Sequence, residues 1–155
     1  MNQKDIVLVV SVSIIKEDKV LIIKEKKPFA NNKWNFPSGR IEHEEDILTA
    51  ACREVREETG YDVKLIATTG IYNFISRSNN QVILFHFTGE VCGGFVKMDE
   101  PEIVESKWIR LSELMDLSDD ELREADVTRQ IVNNLKNQQV HSLTVINKQL
   151  TGIIE

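Results

Sequence analysis

Residues 39–61 read GRIEHEEDILTAACREVREETGY, and this stretch decides how the rest of the chain is read. From Asp46 to Thr59 the apolar residues recur at helical spacing, and Gly60 supplies a C-terminal stop. At roughly 100° per residue the helix separates into two arcs. Leu48, Ala51, Cys52 and Val55 fall on one side, and Glu54, Glu57 and Glu58 cluster on another with Arg53 beside Glu57. Ile47 fits poorly, because it shares the carboxylate side. Three carboxylates spaced this way repel one another by a few tenths of a kcal/mol per pair in water, and by more where water is excluded. Hard divalent cations such as Mg2+ take oxygen ligands, often a few carboxylates plus substrate phosphates. Taken alone, Arg-Glu-Val-Arg-Glu-Glu is no more than a solvated helix face that Arg53 and Arg56 can neutralise.

Outward from the helix, residues Ile6 to Ile15 are dense in Val and Ile, and Val20 to Ile23 follow a polar turn, which predicts a hairpin. Trp34 to Pro37 reads as a short strand. Asp62 to Thr68, Gly70 to Phe74 and Gln81 to Val91 read as three more strands. Gly93-Gly94 is a turn signal, with Phe95-Val96 opening a return strand. Asp99 to Glu102 is an acidic loop, Ser106 to Leu111 a strand, Ser112 to Met115 a helical turn, and Ser118 to Lys136 a long helix. The tail 137–155 is expected to add an edge strand from Val140, and such a strand would suit a homodimer. Strands on both sides of one early helix, with another helix late, suggest a mixed α/β sandwich.

A chain of 155 residues fits a single domain, 1–155. Its formal net charge of -6 argues against general nucleic-acid binding, which needs a surplus of Lys and Arg. Two cysteines are too few for a disulfide framework, and the three histidines lie too far apart for zinc spacing. The apolar stretch Ile6 to Val10 is too short for a membrane span, so the default expectation is cytoplasmic.

Gly39, Glu45, Arg53, Glu54, Glu57, Glu58 and Gly60, with Val55 at the aliphatic position, fall in register with G-x5-E-x7-R-E-U-x-E-E-x-G-U, where U is a bulky aliphatic. Seven fixed matches arise by chance at on the order of 10^-8 per start position. The segment resembles the box of the Nudix hydrolases; Tyr61, where an aliphatic is usual, is the one departure. Pro37-Ser38-Gly39 and the strand around Trp108 are also similar to the family. The resemblance implies an α/β/α sandwich with the box as loop-helix-loop, and hydrolysis of a pyrophosphate bond in a small nucleotide by water attack at phosphorus.

Carried over, it implies that Glu54, Glu57, Glu58 and the Gly39 carbonyl hold Mg2+ or Mn2+. Glu54 or Glu57, or a loop carboxylate, would deprotonate the water. Arg53 would orient a carboxylate, and Glu45 and Gly60 would be structural. A further ligand is expected from Glu100, Glu102 or Glu105, with Glu102 the choice, and Trp34, Phe36 and Tyr72 are candidates to stack on a base. Two other readings stay open: a nucleotide-binding regulator with this fold, and an RNA 5'-end pyrophosphohydrolase using Arg77, Lys97 and Lys107.

Overall fold

The computed structural model describes residues 5–28 and 30–150. The order of elements is β1 (Ile6–Lys16), β2 (Lys19–Glu25), β3 (Lys33–Asn35), β4 (Ser38–Arg40), α1 (Ile47–Thr59), β5 (Tyr61–Ile75), β6 (Gln81–Gly94), β7 (Ile103–Arg110), α2 (Leu111–Asp116), α3 (Ala125–Lys136) and β8 (His141–Ser142). The strands run β3-β2-β1-β6-β5-β8 across one mixed sheet, with β4 also paired to β1 and β7 to β2. β1 and β6 are parallel, opposite one another from Ile6 and Gln81 to Ile14 and Gly89, while β5 and β6 are antiparallel.

Strand side chains alternate between two faces, and both faces are covered by helix. Val10, Val12, Ile14 and Phe87 pack on Ala50, Ala51 and Val55 of α1, and partly buried Ile47 joins that same cluster. Val20, Ile22, Tyr72, Val82 and Leu84 pack on Leu114 of α2 and on Val127, Ile131 and Val132 of α3. Covering both faces explains why five successive residues of β1, Val10 to Ile14, are all buried. The α/β/α sandwich expected from the sequence is the architecture found.

The box helix is bounded at both ends by its own residues. Asp46 caps α1, its carboxylate accepting from the Leu48 and Thr49 amides at 3.1 and 3.3 Å. Gly60 ends the helix in the left-handed region at φ 83°, its N–H donating to the Arg56 carbonyl.

Three segments depart from the sequence reading. Gly93 and Gly94 do not turn the chain back: they stay in β6 opposite Asp62 and Tyr61, and residues 95–98 form no return strand. A side chain at Gly94 would overlap the Gly60 carbonyl, and one at Gly60 would overlap the backbone at Phe95 and Lys97. These glycines therefore mark a close crossing of β6 over the end of α1, where the Lys97 amide donates to the Thr59 carbonyl at 2.9 Å. The strands read before and after Thr69 are one long strand, β5, broken in register rather than in chain direction. α3 begins at Ala125 and not at Ser118, because the backbone of residues 119–123 is committed elsewhere. Trp34 donates to the Glu121 carbonyl and accepts from the Arg123 amide. The Arg77 guanidinium also takes the carbonyls of Asp119, Leu122 and Arg123.

Among the described residues of the tail, only His141 and Ser142 form a strand, paired with Thr68 and Ala67 of the same chain. Beyond a short 3-10 turn, Gln149 donates to the Asp46 carboxylate and to the Glu44 carbonyl, tying the tail to the start of α1. Residues 151–155 lie outside the described residues. No helix among the described residues is long and apolar enough to cross a membrane.

Candidate active site

A cleft of about 370 Å3 opens where the carboxylate edge of α1 reaches past β4 toward the α3 side of the sheet. Val7, Val9, Val82 and Leu84 form its floor, and Phe74, Val127 and Ile131 continue the apolar lining. Glu54, Glu57 and Glu58 stand at one end with Ser38, Gly39 and Arg40 of β4. Lys27, Arg123 and Glu124 also line it.

The three glutamates differ in environment although they share a helix face. Glu58 is almost wholly buried, and its carboxylate accepts the Ser38 amide at 2.7 Å. Burial pushes its proton affinity well above the usual carboxylate range, against the opposing effect of that hydrogen bond. Glu54 is also pushed up, first by desolvation and also by the charges of Glu57 and Glu100, while Arg53 pulls the other way. Its carboxylate lies directly over Gly39, in space a Cβ there would fill. Glu57 is the most open of the three, its side chain 43% exposed.

Arg53 organises the group. It donates to Glu45 through Nε (2.6 Å) and Nη2 (2.9 Å), to the Arg40 carbonyl (3.0 Å), and through Nη1 to Glu54 (2.8 Å) and Glu57 (3.1 Å). The forked pair holds the Glu45 carboxyl below its ordinary range, chiefly through the Arg53 hydrogen bond. Glu45 also accepts the Glu42 amide at 3.0 Å, so one carboxylate fastens the loop 40–46 to α1.

The donors are all oxygen, which suits a hard divalent cation. Carboxylates kept partly from water and stacked against one another are also the condition that a cation relieves. Among the described residues, no three acidic, His or Cys groups already converge on one point. Glu54 and Glu57 are turned onto Arg53, and Glu58 onto Ser38. Glu54 and Glu57 would turn to a cation by giving up Arg53, and Glu58 by giving up the Ser38 amide.

The remaining candidates divide sharply. Phe36 lines the cleft and lies 5.0 Å, centroid to centroid, from the His86 ring. Trp34 and Tyr72 do not line it. The Trp34 ring is buried beneath the ammonium groups of Lys24 and Lys107 (4.9 and 4.5 Å), and the Tyr72 hydroxyl bonds Thr69 and Asn134 within the core. In the acidic loop, Glu100 lines the cleft; Glu102 does not, although it lies 3.8 Å from Lys27, and Glu105 pairs with Lys24. Loop composition offers no phase from which to tell these three acids apart.

The sequence reading missed Glu25, Lys27 and Arg123. Glu25 is fully buried and lies 2.9 Å from Lys27 Nζ and 3.0 Å from Arg123 Nη1. Burial pulls the Lys27 ammonium down, but the Glu25 and Glu58 carboxylates together more than offset it, leaving Lys27 above its usual value and charged. A signal was present: Glu25 shares the strand phase of Leu21 and Ile23, and an acid in a buried phase requires cationic partners.

These features define an α/β/α sandwich with a glutamate-bearing helix at the rim of a half-apolar cleft. A family model described as the NUDIX domain matches residues 6–131, and the chain belongs to the Nudix family. A putative 8-oxo-dGTP diphosphatase of Bacillus subtilis (strain 168) is 31% identical over 98 residues, 63% of this chain and 62% of its own length. An ADP-ribose pyrophosphatase of Methanocaldococcus jannaschii is 32% identical over 108 residues, 69% of this chain and 63% of that one. The chain thus spans under two thirds of the length of both curated relatives. A NUDIX hydrolase from Nitrosomonas europaea superposes with a TM-score of 0.84 at 27% identity, covering 96% of this chain and all of the other.

Proposed function

We propose that the protein hydrolyses a pyrophosphate bond in a nucleoside triphosphate, or in a nucleoside diphosphate linked to another group, with Mg2+ as cofactor and Mn2+ able to replace it. The observation that carries this reading is a cleft with two chemistries. Its carboxylate end suits a metal and phosphates, and its apolar end suits a base, in a volume within the range of small-ligand sites. Relatives named for 8-oxo-dGTP and ADP-ribose support a nucleotide as the substrate class.

Glu57, Glu58 and the Gly39 carbonyl would hold the cation, with Glu100 the loop carboxylate within the same cleft. When bound, the cation supplies positive charge against the phosphate oxygens and reverses the local sign of an acidic site. Glu54 is the side chain suited to take the proton of the attacking water. It is desolvated, it carries a raised proton affinity, and Gly39 leaves room for its carboxylate. Arg53 limits the rotamers of Glu54 and Glu57 and keeps both at the rim. Val82, Leu84, Val127 and Ile131 would bury the base and keep water from that end.

The test is turnover of a panel of nucleoside triphosphates, nucleotide sugars, dinucleotides and CDP-alcohols, with and without Mg2+. Glu54→Gln is expected to lower kcat by about 10^2-fold or more, as loss of a general base does, with metal affinity kept. Glu57→Gln is expected to weaken metal binding itself. Turnover that persists in excess chelator would overturn the reading. So would nucleotide binding without turnover that survives Glu57→Gln, which would make the protein a binding module.

A further inference from the structure

We propose that Lys27 and Arg123 form a two-cation clamp for a phosphate group of the ligand, and that buried Glu25 is the positioning residue that aims both. The proposal rests on the reading of the cleft as a nucleotide site and names the side chains that would take the phosphate charge not met by a metal.

Three observations carry it. The first is charge. Buried Glu25 faces two cations, and the second acid near them, Glu102 at 3.8 Å from Lys27, is 55% exposed, so one of the two cations is balanced only by a solvated carboxylate. A buried acid needs one counter-ion to be satisfied; the second cation, with both lining the cleft, is left to a solvated acid whose place a ligand anion can take.

The second is donor geometry. Arg123 spends only Nη1 on Glu25, at 3.0 and 3.2 Å from its two oxygens. Among the described residues its Nε and Nη2 donate to no protein group, which leaves a guanidinium edge for the planar recognition of phosphate. Lys27 keeps 27% of its side chain exposed and Arg123 33%, whereas Glu25 keeps 1%. The cations are thus presented while the anion that holds them is hidden.

The third is rigidity. Arg123 sits on a segment fixed from three directions: its amide on the Trp34 carbonyl, its own carbonyl under Arg77 Nε at 2.7 Å, and its side chain on Glu25. A solvated surface arginine would need none of this support. Preorganisation of this kind lowers the ordering cost of binding.

Binding is measured by calorimetry in Mg2+ with the α,β-methylene analogues of ADP and GDP, against adenosine and guanosine, alongside wild-type turnover on the panel above. Lys27→Met and Arg123→Met are each expected to weaken the diphosphate analogues by tenfold or more and to leave the nucleosides within twofold. Arg123→Lys should restore part of the loss. Glu25→Gln should weaken the analogues and add turnover with raised KM at little changed kcat. Should Arg123→Met fail to fold, Lys27→Met and Arg123→Lys carry the test. Analogue affinities within twofold of wild type in Lys27→Met and Arg123→Met would overturn the clamp while turnover keeps the hydrolase reading. Equal losses for nucleosides and diphosphates would overturn it too, since they mark a merely structural ion pair. Phosphate-selective losses in a protein without turnover would keep the clamp and remove the hydrolase.

Discussion

Gly39 stands opposite Val10 in the sheet with a backbone that any residue can adopt, so its smallness serves its neighbour. A methyl group there would overlap the end of the Glu54 side chain, which can swing aside. Gly39→Ala is therefore expected to fold with a stability change under about 1 kcal/mol, as for other substitutions relieved by rotamer motion. Its turnover should fall at least tenfold, because Glu54 is displaced. Unchanged kcat in a folded Gly39→Ala protein would remove Glu54 from the role assigned above.

His86 makes a second residue-scale case. It is fully buried with Ser11 on one ring nitrogen and Ser13 on the other, and burial lowers its pKa to about 3. A histidine neutral in the fold and near 6.5 when unfolded gives stability that is complete above pH 6.5 and is lost as pH falls toward 3. Between pH 6.5 and 4.5 its share of the loss is roughly 2–3 kcal/mol. Urea titrations across that range should show His86→Gln with the shallower slope, whatever its absolute stability; parallel curves would remove the buried neutral imidazole as the cause. The same residue shows a limit of sequence reading. Its strand phase beside Val82 and Leu84 was visible, but the two serines that satisfy it come from a strand some 70 positions away.

At the scale of elements, what was legible is what local chemistry decides. α1 carries its own periodicity and stop, so the helix read over Asp46 to Thr59, with its acid face, is the one found, less Asp46, which caps it. Glu45 entered only through the family resemblance, and its partner proves to be Arg53, 8 residues on. Where elements borrow from distant ones, the reading failed. α3 lost its expected start, residues 118–124, because Trp34 and Arg77, far away in sequence, take the carbonyls of Asp119, Glu121, Leu122 and Arg123. The Gly93-Gly94 pair signals a turn on local grounds, and only the approach of α1's end shows it to be a crossing. The clamp falls in the same class: Lys27 and Arg123 meet only because β2 and the segment before α3 close on one cleft. Aromatics at strand spacing are ambiguous for a related reason. Trp34 and Phe36 share a phase, yet the cleft lies beside only one of them.

Across the whole molecule, acids outnumber bases by 25 to 19, and the excess is not placed for the comfort of the fold. Glu54, Glu57 and Glu58 occupy adjacent turns of one helix, two of them with raised proton affinity, which marks carboxylates whose charge is unfavourable where it stands. Arg53 compensates Glu54 and Glu57 but makes no bond to Glu58. An ion that binds this face only in the folded state adds stability of RT ln(1 + [L]/Kd), about 2.7 kcal/mol at a hundredfold excess over Kd. For a domain of this size that corresponds to a Tm rise of roughly 5–10 °C. Adding Mg2+ or Mn2+ to chelator-stripped protein should therefore raise Tm in a concentration-dependent way, and Glu57→Gln should shift the response to higher metal. Glu57→Gln without metal should stay within about 1 kcal/mol of wild type, since the repulsion it relieves is offset by the Arg53 ion pair it loses. A Tm indifferent to both ions would mean that Arg53, Lys27 and Arg123 already balance the cluster, and the acid face of α1 would then be structural.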